Sequence, residues 1–497
     1  MAGKIGSPPP TPPASPDPAP FDIYPVHMLD NHKSARNIMM QWIFRVDAQL
    51  DADKVRAALA LVLETGDWCK LAGRLHYTKA GTLEIRVPHT FTDQEPPFTY
   101  THRDRTAEAF DDDELRRALP SGLPRIYPQT AEANAAIFTT DTPRTLQEHI
   151  KRGLPQLALA VTTFRDATLL ELAWPHTVMD ATGQRELLAA WSLALAGRAG
   201  EVRPLAGAGE DVARRVAGEE CAEDGPPDVR RGRELVGLGK VLFFGRYLWR
   251  LATSGRADWR IFHLPRAVIR RWRDGGVAEL PRDPDTGRAP FVSDGDLLCA
   301  WLVTLVAAGR SPQTRYVVAG SVNYRGRVPA LRDGVYVQNL LGLYFASIPA
   351  ATVVSGSDDA AAAVVVARIA LAHRREVALQ TSEAQVLHQL RRRRADADAG
   401  RDQGAVPVYC APDEVVVMCN NLSGLRIGAA ADFGPAVVPV PGGTGSGRVV
   451  SHHYLSSDDG NRPTPYFVCL DQDKDGYWIR GNAAPETWEE IGRVIGA

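Results

Sequence analysis

The sequence predicts an α/β protein of two domains, in which helices cover mixed β-sheets. With 497 residues, the chain exceeds the size at which a single core keeps growing. Apolar segments with strand and helix periodicity occur in both halves. A polar stretch rich in Gly and Pro lies between the halves. We therefore predict an N-terminal domain over residues 21–204, a crossover linker over 205–258 and a C-terminal domain over 259–497.

The composition is that of an ordinary globular protein and argues against several classes of partner. The chain carries 57 basic and 59 acidic residues, a formal net charge of -2, so no nucleic-acid partner is predicted. The six cysteines are scattered without Cys-x-x-Cys pairs, which favours reduced thiols over a zinc site or a disulfide framework. We expect a cytoplasmic protein with no bound metal.

Two segments bear on membrane insertion. Residues 1–20 are rich in Pro and Ser and lack an apolar run, which predicts a disordered leader and not a signal peptide. Residues 235–251 form the most apolar later segment, but Lys240, Arg246 and Arg250 interrupt it. These charges predict a soluble or peripheral helix, and no membrane span is expected.

Periodicity and capping signals place the main elements. In the N-terminal half we predict, in order, a helix over 51–63, a strand over 83–87, strands over 157–164 and 169–174, and a helix over 180–196. In the C-terminal half we predict a strand over 260–264, a helix opened by a capping box at 292–296, a strand over 316–322, a helix over 358–377 and short strands near the end.

The most informative motif is His176-Thr177-Val178-Met179-Asp180, which follows the second of the paired strands. A histidine delivered by a strand end at a crevice can accept a proton from an attacking hydroxyl or amine. Asp180 begins a helix, so it is better placed as a brace than as a proton acceptor. On the local pattern alone, a satisfied interior histidine beside a capping aspartate is an equal alternative.

The same spacing occurs a second time, at His89 and Asp93. Pro96 and Pro97 follow, and they forbid a continuing helix or central strand. We therefore predict that His89 is a surface loop residue.

Five blocks in a fixed order give the chain a family resemblance. The hairpin, His-x-x-x-Asp and helix over 157–191 resemble the BAHD superfamily of coenzyme A dependent acyltransferases, its fungal-type members in particular. Residues 71–75 resemble that family's early Ala-Gly-Arg-Leu block, and 292–301 resemble its Ser-led helix. Residues 322–327 resemble its Arg-x-Arg strand, and 432–434 resemble its late Asp-Phe-Gly block. The resemblance spans nearly the whole chain after the leader.

The resemblance implies a two-domain fold related to chloramphenicol acetyltransferase, with the active-site channel between the domains. His176 would lie in this channel, reached by acyl-CoA from one face and by the acceptor from the other. Arg325 would pair with Asp180, with Arg327 as the alternative. Ala181 stands where the family often has Gly, but Gly183 lies close by and should preserve the turn.

Departures from the family pattern affect the late blocks. Pro435 follows Asp432-Phe433-Gly434, so this loop must differ locally, although the resemblance gives Asp432 and Gly434 a structural role. Asn420-Asn421-Leu422 stands where many members carry a Thr-Ser-Trp-like run, which implies a different acceptor pocket. By position, Asn420 and Asn421 are candidate substrate-binding and oxyanion-stabilising residues. Ser293 is a further substrate-binding candidate.

The implied activity is transfer of an acyl group from acyl-CoA, a co-substrate, to a hydroxyl or amine of a small-molecule acceptor of specialised metabolism. His176 would be the general base of a monomeric enzyme that forms a ternary complex without a bound cofactor. Two alternatives stay open. One is a diverged scaffold that binds or cyclises a ligand, and the other is a condensation enzyme with a carrier-protein donor. Pro175 weakens the latter, because it replaces the first His of that enzyme's doubled-His signature.

Three further patterns favour plain structural interpretations. Residues 471–476 copy the opening of a calcium loop, but Asn482 occupies the twelfth position and a hairpin turn is predicted. Residues 442–447 are Gly-rich without a phosphate-loop ending, which predicts a flexible linker. The Arg391–Arg394 run could meet coenzyme A phosphates, although a solvated helix end is the favoured prediction.

Overall fold

A computed structural model of the chain describes residues 20–79, 81–110, 119, 126–219, 226–253, 257–282, 287–331, 334–353, 358–400, 407–461 and 465–496. Nearly all of the predicted leader over 1–20 lies outside the described residues.

The described strands lie in both halves of the chain. In chain order they are β1 (Phe21–Pro25), β2 (Met39–Val46), β3 (Arg74–Tyr77), β4 (Leu83–Pro88), β5 (Thr99–Arg105), β6 (Ile126–Pro128), β7 (Ala158–Phe164), β8 (Thr168–Pro175), β9 (Asp258–Pro265), β10 (Tyr316–Asn323), β11 (Leu341–Ile348), β12 (Val415–Asn421), β13 (Val449–Ser456), β14 (Tyr466–Gln472) and β15 (Gly476–Ala483).

Helices are distributed among these strands along the chain. The described helices are α1 (Lys33–Arg36), α2 (Ala52–Leu63), α3 (Ala131–Ile137), α4 (Leu146–Lys151), α5 (Ala181–Leu195), α6 (Val212–Gly218), α7 (Gly237–Thr253), α8 (Arg266–Gly276), α9 (Asp294–Ala307), α10 (Asp359–Gln380), α11 (Glu383–Asp398), α12 (Ile427–Ala430) and α13 (Pro485–Ile495).

The strands form three sheets with mixed strand directions. One sheet has the order β13-β2-β8-β7-β5, a larger one has the order β11-β10-β12-β14-β15-β9-β6, and a small one has the order β1-β4-β3. Most neighbours are antiparallel, but β5–β7, β10–β12 and β12–β14 are parallel. The predicted α/β class with helix-covered mixed sheets is confirmed.

Two strands cross the domain limits proposed from the sequence. β13 comes from the C-terminal half but pairs with β2 in the first sheet. β6 comes from the N-terminal half but pairs with β9 in the larger sheet. A linear division at 204 and 259 therefore cannot describe the sheets completely, and the domain limits stay a prediction.

The predicted elements around the His176 motif agree with the structure. β7 and β8 form the antiparallel hairpin, and α5 follows directly after the motif. Every residue of β8 is buried, so both faces of this strand are mostly apolar and do not alternate, although the buried Glu171 interrupts the run. His176 directly follows the end of this buried strand.

The predicted crossover contains more helix than its composition suggested. Asp211 caps α6 by accepting a hydrogen bond from the Arg214 N–H at 2.9 Å. Ala213, Val216 and Ala217 of this helix are buried. Three buried residues in a helix of seven are too few to give a clear periodic signal among the surrounding glycines and charges.

No helix in the described part of the chain combines the length and apolarity that crossing a membrane requires. Of the cysteines, Cys221 lies outside the described residues, and the other five are unpaired thiols.

Candidate active site

The turn over 176–180 is fixed at both of its ends. On one side, β8 ends at Pro175, and the His176 N–H donates to the Ile38 carbonyl at 2.8 Å. On the other side, the Asp180 carboxylate accepts a hydrogen bond from the Gly183 N–H at 3.0 Å and caps α5. The turn therefore has little freedom of its own.

Asp180 forms a buried ion pair with Arg325. The Arg325 Nη1 and Nη2 atoms donate to the two carboxylate oxygens at 2.9 and 3.1 Å. The Leu340 N–H adds a third hydrogen bond, at 3.1 Å. The side chains of Asp180 and Arg325 are only 4% and 13% exposed. These hydrogen bonds hold the Asp180 carboxylate in place and brace the turn.

The two arginines of the Arg-x-Arg block lie in the turn after β10, not in the strand, and have different partners. Arg325 also donates to the Tyr336 and Gln338 carbonyls, at 2.8 and 2.7 Å, and so ties the segment before β11 to the turn. Arg327 donates instead to the Thr381 hydroxyl at 2.8 Å. The structure therefore resolves the alternative left open by the sequence, and Arg325 pairs with Asp180.

Gly183 allows the same segment to approach α5 closely. A Cβ atom at this position would lie 2.0 Å from the Val337 carbonyl oxygen, well inside contact distance. The backbone of Gly183 is helical, so the glycine is needed for space and not for a left-handed conformation. This contact holds the start of α5 against the polypeptide that carries the Arg325 acceptors.

The His176 imidazole has one buried and one accessible nitrogen. Nδ1 is buried without a hydrogen-bond partner among the described residues. Nε2 is thus the nitrogen available to a ligand in the cavity that His176 lines. The side-chain amide of Asn339 donates to the His176 carbonyl at 2.7 Å. Sequence reasoning missed Asn339, which fixes the backbone of the proposed base.

A buried polar cluster supports Asn339 from behind. Asp30 accepts hydrogen bonds from the Asn339 N–H at 2.8 Å and from its side-chain amide at 2.7 Å. Burial raises the pKa of the Asp30 carboxyl above its ordinary value. The Lys70 ammonium lies 3.1 Å from His27 Nε2 and donates to the Ala208 carbonyl at 2.8 Å. No local sequence pattern marked these residues as part of a site.

The cavity beside His176 has a volume of about 230 Å³ and is lined by both large sheets. Strands β2, β8 and β13 contribute aromatic walls, while β10, β12 and β14 close the opposite side. Its apolar and aromatic wall residues include Met40, Trp42, Trp174, Leu422, Tyr454 and Tyr466. A mostly apolar chamber with a few polar groups is typical of a small-molecule site.

Of the two candidate asparagines, one lines the cavity and the other does not. Asn420 lines the cavity, and its amide donates to the Tyr466 hydroxyl at 2.9 Å and accepts from the Ser321 N–H at 2.9 Å. Asn421 does not line the cavity. Its side-chain oxygen instead accepts hydrogen bonds from the N–H and the hydroxyl of Ser423. Leu422 lines the cavity, as its departure from the family pattern suggested.

Ser293 lies outside this cavity and caps α9. Its hydroxyl donates to the Asp296 carboxylate at 2.6 Å, and the Asp296 N–H donates back to the hydroxyl at 3.2 Å. The Arg374 guanidinium donates to the same hydroxyl at 2.7 Å. The predicted capping box is therefore present. The structure gives no contact that supports the substrate-binding role expected for Ser293.

The late Asp-Phe-Gly block makes local and packing contacts. The Asp432 carboxylate accepts from the Gly434 N–H at 2.9 Å, and the Asp432 N–H donates to the Ser192 hydroxyl at 2.8 Å. Phe433 is buried and packs edge-on against Trp191, with ring centroids 5.3 Å apart. Neither Asp432 nor Gly434 lines the cavity. These contacts fit the structural role that the resemblance implied.

The arginine run lies near the end of α11, but it is less solvated than expected. Arg392 donates to the Glu234 carboxylate at 2.6 Å. Arg392 and Arg393 line a narrow cavity of about 40 Å³, and Leu29 and Leu341 line both this cavity and the one at His176. Burial lowers the pKa of the Arg393 guanidinium. Arg392 and Arg393 therefore border the site, while the side chains of Arg392 and Arg394 stay 39% and 37% exposed.

In the described part of the chain, no cluster of three or more His, Cys, Asp or Glu residues is arranged to hold a metal ion. The calcium-like sequence at 471–476 is a hairpin turn between β14 and β15, as predicted. The Asp473 carboxylate there accepts from the Asp475 and Gly476 N–H groups, at 2.8 and 2.7 Å.

Comparison with known proteins places the fold and the family. No protein-family model matches the chain. The chain is 30% identical to the acetyltransferase BOT5 of Botryotinia fuckeliana over 512 aligned positions, which cover 95% of this chain and 90% of the relative. The structure resembles TRI101 of F. sporotrichioides complexed with coenzyme A and T-2, with a TM-score of 0.64, 15% identity and coverage of 95% and 97% of the two chains. The chain belongs to the BAHD superfamily of acyltransferases.

Other BAHD relatives agree with this assignment. The O-acetyltransferase PaAT-2 of Phomopsis amygdali is 29% identical, with 94% of this chain and 96% of the relative covered. The solved structure of vinorine synthase has a TM-score of 0.53 at 15% identity, with 97% and 96% of the chains covered. At such low identity the solved structures show the fold alone, and they confirm the predicted two-domain BAHD architecture.

Proposed function

We propose that this BAHD enzyme transfers an acyl group, in the first place an acetyl group, from a coenzyme A thioester to a hydroxyl of an apolar small molecule. The observation that carries the proposal is the accessible Nε2 of His176 in an apolar cavity lined by both large sheets. The names of the relatives support the acetyl group and the hydroxyl acceptor. The TRI101 complex with coenzyme A supports the donor class.

The chemistry needs one base and no covalent enzyme intermediate. His176 Nε2 removes the acceptor hydroxyl proton while the oxygen attacks the thioester carbonyl. The tetrahedral intermediate then collapses, the carbon–sulfur bond breaks, and the leaving thiolate takes the proton from the imidazolium. The products are an ester and free coenzyme A thiol. A single histidine thus acts as base and then as acid, which requires both substrates in the site together.

Asn420 is the better of the two asparagines for stabilising the oxyanion. A primary amide has two N–H bonds, and the hydrogen bond to Tyr466 uses one of them. The second N–H remains for the carbonyl oxygen of a thioester held in the cavity. Asn421 is committed to Ser423 and lies outside the cavity, so we assign it no role in the reaction.

The narrow cavity beside α11 is the proposed approach for the donor. Three arginines and one aspartate line its wall, namely Arg230, Arg392, Arg393 and Asp396. They lie next to Leu29 and Leu341, which also line the His176 cavity. A coenzyme A phosphate would be attracted there, while the thioester reaches inward. The acceptor would then occupy the aromatic chamber formed by Trp42, Trp174 and Tyr454.

The test incubates the purified chain with acetyl-CoA and longer acyl-CoAs, with and without pooled hydroxylated and amine acceptors. Free thiol and product mass are followed together. We expect thiol release that depends on an acceptor, with one acylated product formed for each thiol. A ligand that binds or cyclises without thiol release would instead support the diverged scaffold. Acylation only from a carrier-protein thioester would support the condensation alternative.

A further inference from the structure

Helix α7 presents an unusually apolar surface to solvent. The exposed large hydrophobic residues of the described chain number thirteen, and seven of them lie within residues 236–249. Their exposed fractions run from 46% to 72%. The seven residues, which we call the α7 apolar surface, are Val236, Leu238, Val241, Leu242, Phe244, Leu248 and Trp249. Contiguous exposure of this kind marks an interaction site.

The helix packs on the protein through the opposite side. Gly239, Phe243 and Tyr247 are partly buried and recur every four residues, so they share one helix face. Gly239 allows close packing, because a Cβ there would lie 3.3 Å from Leu235 and Pro412 side-chain atoms. At 100° per residue, Val241 and Leu248 lie almost opposite this packed face. The apolar surface therefore points outward.

Basic residues flank the apolar surface on both sides. In helical projection, exposed Lys240 and Arg246 lie between the packed face and the apolar face, one on each side. The helix sequence over 237–253 contains no acidic residue. In the segment before it, Arg230 pairs with Asp228 and Arg233 pairs with Glu376. Glu234 pairs with Arg392, and exposed Arg231 adds a further positive charge. The positive charge is local, because the whole chain is nearly neutral.

We propose that α7 docks the enzyme on an anionic lipid surface. The apolar face would enter the boundary between headgroups and acyl chains, while Lys240 and Arg246 meet lipid phosphates at either side. The helix lies in the surface and does not cross it, in agreement with its three interrupting charges and its length of 17 residues. The sequence had predicted a soluble or peripheral helix here, and its outward apolar face selects the peripheral interpretation.

A second copy of the chain fits this surface less well. In a two-fold dimer the same patch meets itself, so the basic flanks of one copy would lie against those of the other. Like charges facing each other across an apolar contact oppose association. An anionic bilayer offers an acyl-chain region for the apolar residues and negative headgroups for the basic residues. We therefore assign the α7 apolar surface to lipid.

The test uses the full chain and sedimentation with vesicles of phosphatidylcholine alone or mixed with phosphatidylserine. We expect binding to the mixed vesicles that weakens with salt, and at least a tenfold loss in a Val241→Asp/Leu248→Asp variant. The matched control is Ile23→Asp/Leu379→Asp, which changes two exposed apolar residues elsewhere by the same charge and keeps parental binding. A Lys240→Gln/Arg246→Gln variant should lose about fivefold per charge on the mixed vesicles only.

Several results would overturn the proposal. These are no vesicle binding by the parent, equal loss in both Asp double variants, or unchanged binding in the α7 variant. Light scattering without lipid provides a separate check. A dimer that the α7 variant disrupts, together with no vesicle binding, would assign the surface to a second copy. Acetyl transfer to a water-soluble acceptor should be unchanged in the α7 variant, so this test does not depend on the reaction.

Discussion

The chain contains the His-x-x-x-Asp spacing twice, and the two copies differ in burial, in the partner of the aspartate and in the elements around them. His89 follows the end of β4, is 50% exposed, and lies 3.4 Å from the exposed Asp22 carboxylate. Its Asp93 is also exposed. His176 follows a strand that is buried throughout, and its Asp180 is buried and paired with Arg325. Four residues of spacing therefore carry little information, whereas the buried strand before the motif and the capped helix after it carry much.

The largest effect should come from removing the brace of the buried motif. Asp180→Ala leaves the Arg325 charge without its carboxylate partner. Breaking a buried ion pair from one side costs about 3–5 kcal/mol. We expect the free energy of unfolding in urea to fall by this amount and acyl transfer to be lost with it. Asp93→Ala at the surface copy should change stability by less than about 0.5 kcal/mol. Similar losses in both variants would erase the distinction between the two motifs.

The next effect concerns the group that faces His176 across the cavity. Asn420→Ala removes the proposed oxyanion donor and should lower kcat by about 10²- to 10³-fold. Asn421→Ala, one residue along the same strand but outside the cavity, should leave kcat within a few-fold of the parent. Steady-state kinetics on both variants would measure the contrast. A larger loss of kcat in Asn421→Ala would reverse the assignment.

A smaller effect is expected from the packing behind the buried motif. Gly183→Ala forces a methyl group against the Val337 carbonyl and should destabilise the fold by about 1–3 kcal/mol. Gly245→Ala is the control, because nothing lies within 4 Å of its added Cβ in exposed α7. Alanine should stabilise that helix by up to about 1 kcal/mol. We expect the urea midpoint to fall in Gly183→Ala and to rise in Gly245→Ala. Opposite shifts would show that the close approach of Val337 to Gly183 supports the turn.

The last contrast concerns the slope of stability against pH, and it distinguishes an interior histidine from a surface histidine. Burial lowers the pKa of His453 from 6.5 to about 3. His453 therefore binds a proton below pH 6.5 in the unfolded chain but only below about pH 3 in the folded chain. Stability should fall with decreasing pH across this window by about 1.4 kcal/mol per pH unit for this group. His453→Leu should flatten the slope measured by urea unfolding, and His89→Leu should retain it. A parental slope in His453→Leu would contradict this origin.

Local pattern was enough to predict the elements on either side of His176. The β7–β8 hairpin, the capped α5 and the Ser293 capping box all depend on residues close together in the sequence, and the structure has them all. Arg325 was named for the salt bridge through the family resemblance, and its geometry in the structure agrees. The hairpin and the two caps share a short-range signal in strand burial or helix capping, whereas Arg325 reaches Asp180 across 145 residues.

Long-range partners could not be predicted in the same way. Asn339 holds His176 from 163 residues away, and Asp30 holds Asn339 from 309 residues away. Both are common polar residues outside any periodic run, so no local rule singles them out. The exchange of β6 and β13 between sheets likewise depends on pairing between distant segments. Ser293 is a different case, because its local motif predicted the capping box correctly while its substrate-binding role stays a prediction.

The most direct test of the account compares His176→Ala with His89→Ala in the acceptor-dependent thiol-release assay, with folding checked by circular dichroism. Loss of a positioned base lowers the rate by about 10²- to 10⁴-fold. We predict a loss of this size for folded His176→Ala and a parental rate for His89→Ala. A folded His176→Ala variant that releases thiol and forms product at the parental rate would contradict the assignment of His176 as the general base.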